Sequence, residues 1–265
     1  MAKKGLKKIE ELQGLGKADY HIHTNYSDGR PTVQEVLDYA QNHTDLDVIA
    51  IADHDTMGGA FEAQELMQKG SYRFELILAE EITAKEGHIL GLFLKEEIPA
   101  GLSALDTIKA IKSQGGLAIA VHPFERPSWN NAERPIMNGV GFMTLFKIGN
   151  QFDGIEIVNA TPFLADENVR ASLVNKTFIF QAETGGSDAH IVEAIGMGYT
   201  LFEGKTAKDF RLAVRRHQTR AMYAKWTLLA LIKYGFFFFP MGLRMLINTI
   251  IHGKKKYPEE IENQT

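Results

Sequence analysis

Apolar residues in this chain fall into short runs separated by stretches in which they recur every three or four positions. The short runs predict β-strands over Ala18–His23, Val48–Ala52, Phe74–Ile82, His88–Leu94, Leu117–Val121, Gly154–Val158, Phe178–Ala182 and Gly198–Phe202. The helical spacing predicts helices over Val33–Gln41, Gly59–Gln68, Ser103–Ser113, Asp166–Lys176 and Ala207–Arg216. Thr32 and Ser103 stand where N-caps belong, with Glu35 and Asp106 three residues on to answer them. Strand–helix alternation over some 200 residues predicts an α/β fold with a parallel sheet, open or closed into a barrel. Residues 1–17 read as a solvated N-terminal segment, and no repeat or low-complexity linker occurs before residue 225.

Composition narrows the chemistry. The 265 residues are 45% hydrophobic and 23% charged, as in a globular protein, and contain no cysteine. Disulfides, thiolate metal sites and a cysteine nucleophile are thereby excluded, and any bound metal has nitrogen and oxygen ligands. With no signal peptide in the sequence, a cytoplasmic protein is expected. Charge is unevenly placed. Residues 1–203 carry 17 Lys+Arg against 29 Asp+Glu, a net of −12, whereas residues 204–256 carry 12 against one, a net of +11. An acidic body suits cations; a basic appendix suits phosphates, anionic lipid or nucleic acid.

In sheets of this type functional side chains sit at the carboxyl ends of the strands. His21 and His23, two apart and so on one strand face, end the first strand, and Asp28 follows in the loop. Asp53-His54-Asp55 follows the second strand, and Glu80 and Glu81 lie towards the end of the third. His88 opens the fourth, His122 follows the fifth, and Asp188 and His190 follow the strand FIFQA. Six of the nine histidines thus stand at strand termini, while His43, His217 and His252 do not. A metal-free core would have to satisfy every one of these imidazoles and carboxylates internally, at high cost. A site with several cations satisfies them together, because neutral imidazole and carboxylate are ordinary ligands for Zn, Fe or Mn.

The strings HIHTNYSDG, IADHDT, EEIT, GHILGL, AVHPF and GGSDAH, in that order, resemble the PHP (polymerase and histidinol phosphatase) family of metal-dependent phosphoesterases over roughly residues 18–203. The resemblance implies a TIM-like, distorted (β/α)7 barrel over residues 18–220. Its metal site would lie at the C-terminal ends of the strands, and residues 221–265 would form a short helical extension. It implies two or three divalent ions (Zn, Fe or Mn) and nine ligands: His21, His23, Asp28, His54, Glu81, His88, His122, Asp188 and His190. One ion would be held by His21, His23, Glu81 and Asp188, and a second by Asp28, His54 and His190. Glu81 would bridge, with His88 and His122 completing a third site. Glu81 is chosen over Glu80 because the family ligand precedes an Ile-Thr pair. Asp53 and Asp55 are read as supports or helix caps.

The implied activity is hydrolysis of a phosphate ester, of a small phosphorylated metabolite or a nucleotide, by metal-bound hydroxide. His21, His23, Asp28, His54, Glu81, Asp188 and His190 would be the catalytic set. Ser187 and Thr24 are nearby hydroxyls without an evident activating base. Arg126, then Arg134, are the candidates to attract the substrate phosphate, against the alternative of plain surface arginines. Glu156 and Asn159 end another strand and either line the mouth or are satisfied structural groups. The rival functions are a nuclease or nucleic-acid processing module, a non-catalytic metal-bound scaffold at a membrane surface, and hydrolysis of a non-phosphate bond. Oligomeric state is left open.

After a basic helix the sequence runs WTLLALIKYGFFFFPMGLRMLINTIIHGKKK. Lys233, Arg244 and Pro240 argue against a membrane span, since a basic residue at a bilayer centre costs about 2.5–3.5 kcal/mol. Either Trp226–Tyr234 and Met241–Ile251 pack as short helices on the barrel or a partner, or residues 226–256 lie on a membrane surface. Packing is the preferred reading.

Overall fold

A computed structural model describes residues 14–126, 137–237 and 239. The chain divides into two compact units, Met1–Lys225 and Trp226–Thr265.

Among the described residues the first unit has nine strands: β1 Gly16–Ile22, β2 Val48–Ile51, β3 Glu75–Ala84, β4 Gly87–Leu92, β5 Leu117–Ala120, β6 Gly154–Asn159, β7 Ala182–Gly186, β8 Gly198–Phe202 and β9 Arg220–Tyr223. Its helices are α1 Val33–His43, α2 Gly58–Lys69, α3 Ala104–Ser113, α4 Gly141–Ile148, α5 Ala165–Val174 and α6 Ala207–Arg215. The strands form one sheet in the order β7-β6-β5-β4-β3-β2-β1-β8-β9. Its far edge returns towards β1: Ile22 and Ala189 bridge in parallel, with His23 N–H donating to Ala189 O at 2.9 Å. The result is a nearly closed barrel with helices around it, the α/β class expected.

Three details depart from the sequence pattern. β4 runs antiparallel to both β3 and β5, and β8 antiparallel to β1 and β9, so the sheet is mixed. Only Lys85 and Glu86 separate β3 from β4, and a connection that short makes a hairpin, never a crossover. The predicted strand Phe178–Ala182 is instead a wide helical turn over Asn175–Ile179, and the strand begins at Ala182. Its sequence, AETGG, carries almost no apolar signal. Helix α4 and strand β9 were not foreseen.

The central strands are buried on both faces, which is why they read as continuous apolar runs; every residue of β2 and β5 is buried. One apolar cluster joins Ile108 and Ile111 of α3 to Ile82, Ile89 and Ile155. Another joins Phe210 and Val214 of α6 to Tyr20, Ile119 and Phe202. The caps form as expected: Thr32 and Glu35 make a reciprocal capping box, and Ser103 Oγ accepts from the Asp106 N–H. In the second unit residues 228–237 are helical. Among the described residues no helix is long and apolar enough to cross a membrane.

Candidate metal centre

Strand termini bring nine side chains to one end of the barrel. His21 and His23 project from the end of β1, and each Nε2 lies 3.1 Å from Glu81 Oε2 on β3. His23 Nε2 is also 3.2 Å from Asp188 Oδ1. The other Glu81 oxygen, Oε1, is 2.9 Å from His122 Nε2 and 3.0 Å from His88 Nδ1. Asp28 Oδ1 lies 3.2 Å from His190 Nε2, and Asp28 Oδ2 lies 3.9 Å from His54 Nε2. Donor atoms within 4.8 Å of one another form four overlapping groups: His21-His23-Glu81, His23-Asp28-His54-His190, His54-Glu81-His88 and His21-His122-Asp188. Glu80 points elsewhere and accepts from the Ile98 N–H at 2.9 Å.

The charges are tightly opposed. Burial would raise the Glu81 carboxyl, yet His54, His21 and His88 outweigh it and hold it well below the ordinary range. Burial and the same kind of imidazole field act on Asp188, with the same net direction. Burial would lower His23, but Asp188 and Glu81 lift it to about 10. For His54 burial prevails, bringing it down to about 4 despite Glu81. The donors suit divalent cations on a separate ground. Both ring nitrogens of His23, with His88 Nδ1 and His122 Nδ1, are buried and make no well-aligned hydrogen bond among the described residues, although carboxylate oxygens lie 3.0–3.2 Å from His23 Nε2, His88 Nδ1 and His122 Nδ1. Nitrogen and carboxylate donors packed this closely without aligned hydrogen bonds fit a cation between them.

Carboxylates behind these side chains hold them in place, with Asp19, Asp53 and Glu156 buried, Glu125 half-buried and Asp55 exposed. Glu156 is wholly buried: Oε1 pairs with His21 Nδ1 at 3.0 Å, and Oε2 accepts from the His122 N–H at 2.8 Å and from Asn159 Nδ2 at 3.0 Å. Asn159 Nδ2 also donates to Asp188 Oδ2 at 3.1 Å. Asp53 accepts from the Thr24 N–H and hydroxyl and from Ser27 Oγ, all at 2.7 Å, fixing the loop that carries Asp28. Asp55 accepts from the Thr83 N–H. Asp19, raised to about 6 by burial, accepts from the N–H groups of Ser187 and Gly196. Glu125 Oε2 lies 3.2 Å from His122 Nδ1. The sequence reading missed Asp19 and Glu125. The available signals were an acid two residues before His21 and one three residues after His122.

The backbone is bent to serve this arrangement. His122 (φ 27°), Asp188 (φ 52°) and Asp55 (φ 53°) adopt positive φ, uncommon outside glycine although Asp and His tolerate it better than most residues. Gly186 is required by closeness: a Cβ there would meet Glu156 Oε1 and His21 Cβ, each at 2.7 Å. The two hydroxyls are engaged elsewhere, Ser187 Oγ on His21 O and Thr24 Oγ1 on Asp53. Arg126 is solvent-exposed, with Nε 4.0 Å from Glu167 Oε1. Arg134 and His252 lie outside the described residues.

The model of the PHP-associated family, PHP_C, matches residues 181–219, which span β7, the Asp188–His190 loop, β8 and α6. The uncharacterised protein MJ1587 of Methanocaldococcus jannaschii is 38% identical over 155 residues, which cover 54% of this chain and 82% of that protein. A two-domain Bacteroides vulgatus protein containing a predicted PHP-like metal-dependent phosphoesterase has the same fold, with a TM-score of 0.60 at 21% identity over 80% of this chain and 66% of that one. The chain belongs to the PHP family of metal-dependent phosphoesterases. This PHP chain is also 33% identical, over 93 residues, to the phosphoribosyl 1,2-cyclic phosphate 1,2-diphosphodiesterase of Eggerthella lenta. That match spans 33% of this chain and 34% of that enzyme.

Proposed function

We propose that this PHP chain hydrolyses the phosphate ester of a small phosphorylated metabolite or nucleotide, using two or three divalent cations held by the nine strand-end residues. The observation that carries the reading is the convergence of six histidines and three carboxylates whose donor atoms lie within 4.8 Å of one another in overlapping groups. His21, His23, Glu81 and Asp188 would hold one ion, and Asp28, His54 and His190 a second. Glu81 would be shared, since its two oxygens face different imidazoles, and His88 with His122 would complete a third site. Bound cations of this kind acidify water and offset phosphoryl charge.

The chain's own groups have separable tasks. With a cation bound, Glu156 would accept a hydrogen bond from the His21 Nδ1–H, which would orient the ring and leave Nε2 free to face the cation beside Glu81 and Asp188. Asp53 holds the Thr24–Ser27 turn and thereby Asp28. The Thr24 hydroxyl is buried against Asp53 and the Ser187 hydroxyl against the His21 carbonyl, so neither is free to attack a substrate, and water takes that part. Arg126 and Arg134 are proposed to draw the phosphate to an otherwise acidic mouth. A phosphodiesterase relative supports phosphoester chemistry without naming this substrate.

The test is a phosphate-release screen over nucleotides, sugar phosphates and histidinol phosphate, with a cyclic phosphodiester added, each with Zn, Fe or Mn. Turnover with at least one pair and more than one metal equivalent per purified chain is expected. Protein that takes up no metal, or is inert with every pair, overturns the proposal.

A further inference from the structure

The described helix of the second unit inverts the usual sorting of side chains. In the helix over residues 228–237, Leu228, Leu231, Ile232 and Phe236 follow the spacing i, i+3, i+4, i+8 and so share one stripe, which Leu229 widens. Every one of these is exposed, Leu228 and Phe236 at 75%. Phe239 is exposed as well. Ala230 and Tyr234, four apart, are buried, and the Tyr234 ring meets Trp226 edge-on at 5.3 Å between centroids. A helix with a buried side ordinarily turns polar residues to water on the other. Here the outward face is built of large aliphatic and aromatic groups, the mark of a surface that something covers.

Charge identifies the cover. Residues 225–256 contain six Lys or Arg and no acid. A second copy would bring the same positive charge to the contact. A nucleic acid would meet the charge but not five large aliphatic and aromatic side chains on one stripe. A bilayer with anionic headgroups meets both: acyl chains accept the stripe, and headgroups accept the basic residues. We propose that the helix over residues 228–237 lies in the plane of an anionic lipid surface, with Leu228, Leu229, Leu231, Ile232 and Phe236 in the boundary between headgroups and acyl chains. The proposal stands independently of the phosphoesterase reading.

The test uses the full chain and vesicles of phosphatidylcholine with or without phosphatidylserine. Co-sedimentation is expected to be about tenfold stronger or more with phosphatidylserine and to weaken as salt rises. In a Trp129→Phe background, Trp226 emission is expected to shift to the blue on binding. The triple variant Leu228→Ser, Ile232→Ser, Phe236→Ser is expected to lose vesicle binding while keeping the wild-type circular dichroism and metal content. Three results would each overturn the proposal. The wild type does not pellet with anionic vesicles at low salt; the triple variant binds as well as the wild type; or the wild type is an oligomer in solution that the triple variant breaks into monomers.

Discussion

The strand-end mouth and the helix over residues 228–237 break the same rule in opposite directions. At the mouth, His21, His23, Glu81 and Asp188 are buried although all four are ionisable. In the helix, Leu228, Ile232 and Phe236 are exposed although all three are apolar. Neither placement is stable on the chain's own terms, since buried charge wants neutralising and exposed apolar surface wants covering. What differs is the kind of partner each lacks. The mouth offers rigid donors whose directions are set by Glu156, Asp53 and Asp19, a preparation for small ions of defined geometry. The helix offers area and charge without directional groups, a preparation for a fluid surface. A misplaced residue type is therefore informative about its missing partner only when the support behind it is examined.

The sharpest way to break the comparison is to remove a donor from the mouth. Asp188→Ala, or His21→Ala, is expected to reduce turnover to background and to lower metal content, with circular dichroism unchanged. Wild-type activity in either variant would remove these residues from the site. A smaller effect separates donor from support. Glu156→Gln keeps the shape of the side chain but loses the negative charge that holds His21 Nδ1–H, so metal affinity should fall about 10- to 100-fold. Titration with a competing chelator measures this, and equal affinity would show that Glu156 merely fills space. The smallest effect is expected at the helix. Phe236→Gln should change unfolding stability by no more than about 0.5 kcal/mol, as at an exposed position. Burying a polar group in a packed face would cost roughly 1–3 kcal/mol instead. Thermal unfolding without lipid decides between them, and a large loss would mean that the face is packed in the folded chain.

Legibility in the sequence followed the locality of each signal. Thr32 and Glu35 are three residues apart, and their capping box was readable because both partners lie within one turn. The buried strands were readable because a strand covered on both faces is apolar throughout, as in VIAI and LAIA. β7 escaped because its glycines answer to Glu156 and His21, residues far away in the chain, rather than to a pattern of its own. The flanking FIF run then imitated the strand that AETGG is. The direction of β4 depended on a two-residue connection whose consequence appears only once both strands pair.

By itself the sequence determined which residue types stand at the strand ends and in what order, because the chemistry of HxH, DHD, HP and SDAH is written in adjacent letters. It also determined that a long apolar and basic stretch follows the barrel. Only the tertiary structure decided that Glu81 faces the imidazoles while Glu80 turns to Ile98, and that Glu156 sits against His21 rather than lining the mouth. It likewise decided which face of the helix over residues 228–237 meets solvent. Those outcomes depend on where distant segments meet, and burial and charge pairing act through space rather than along the chain.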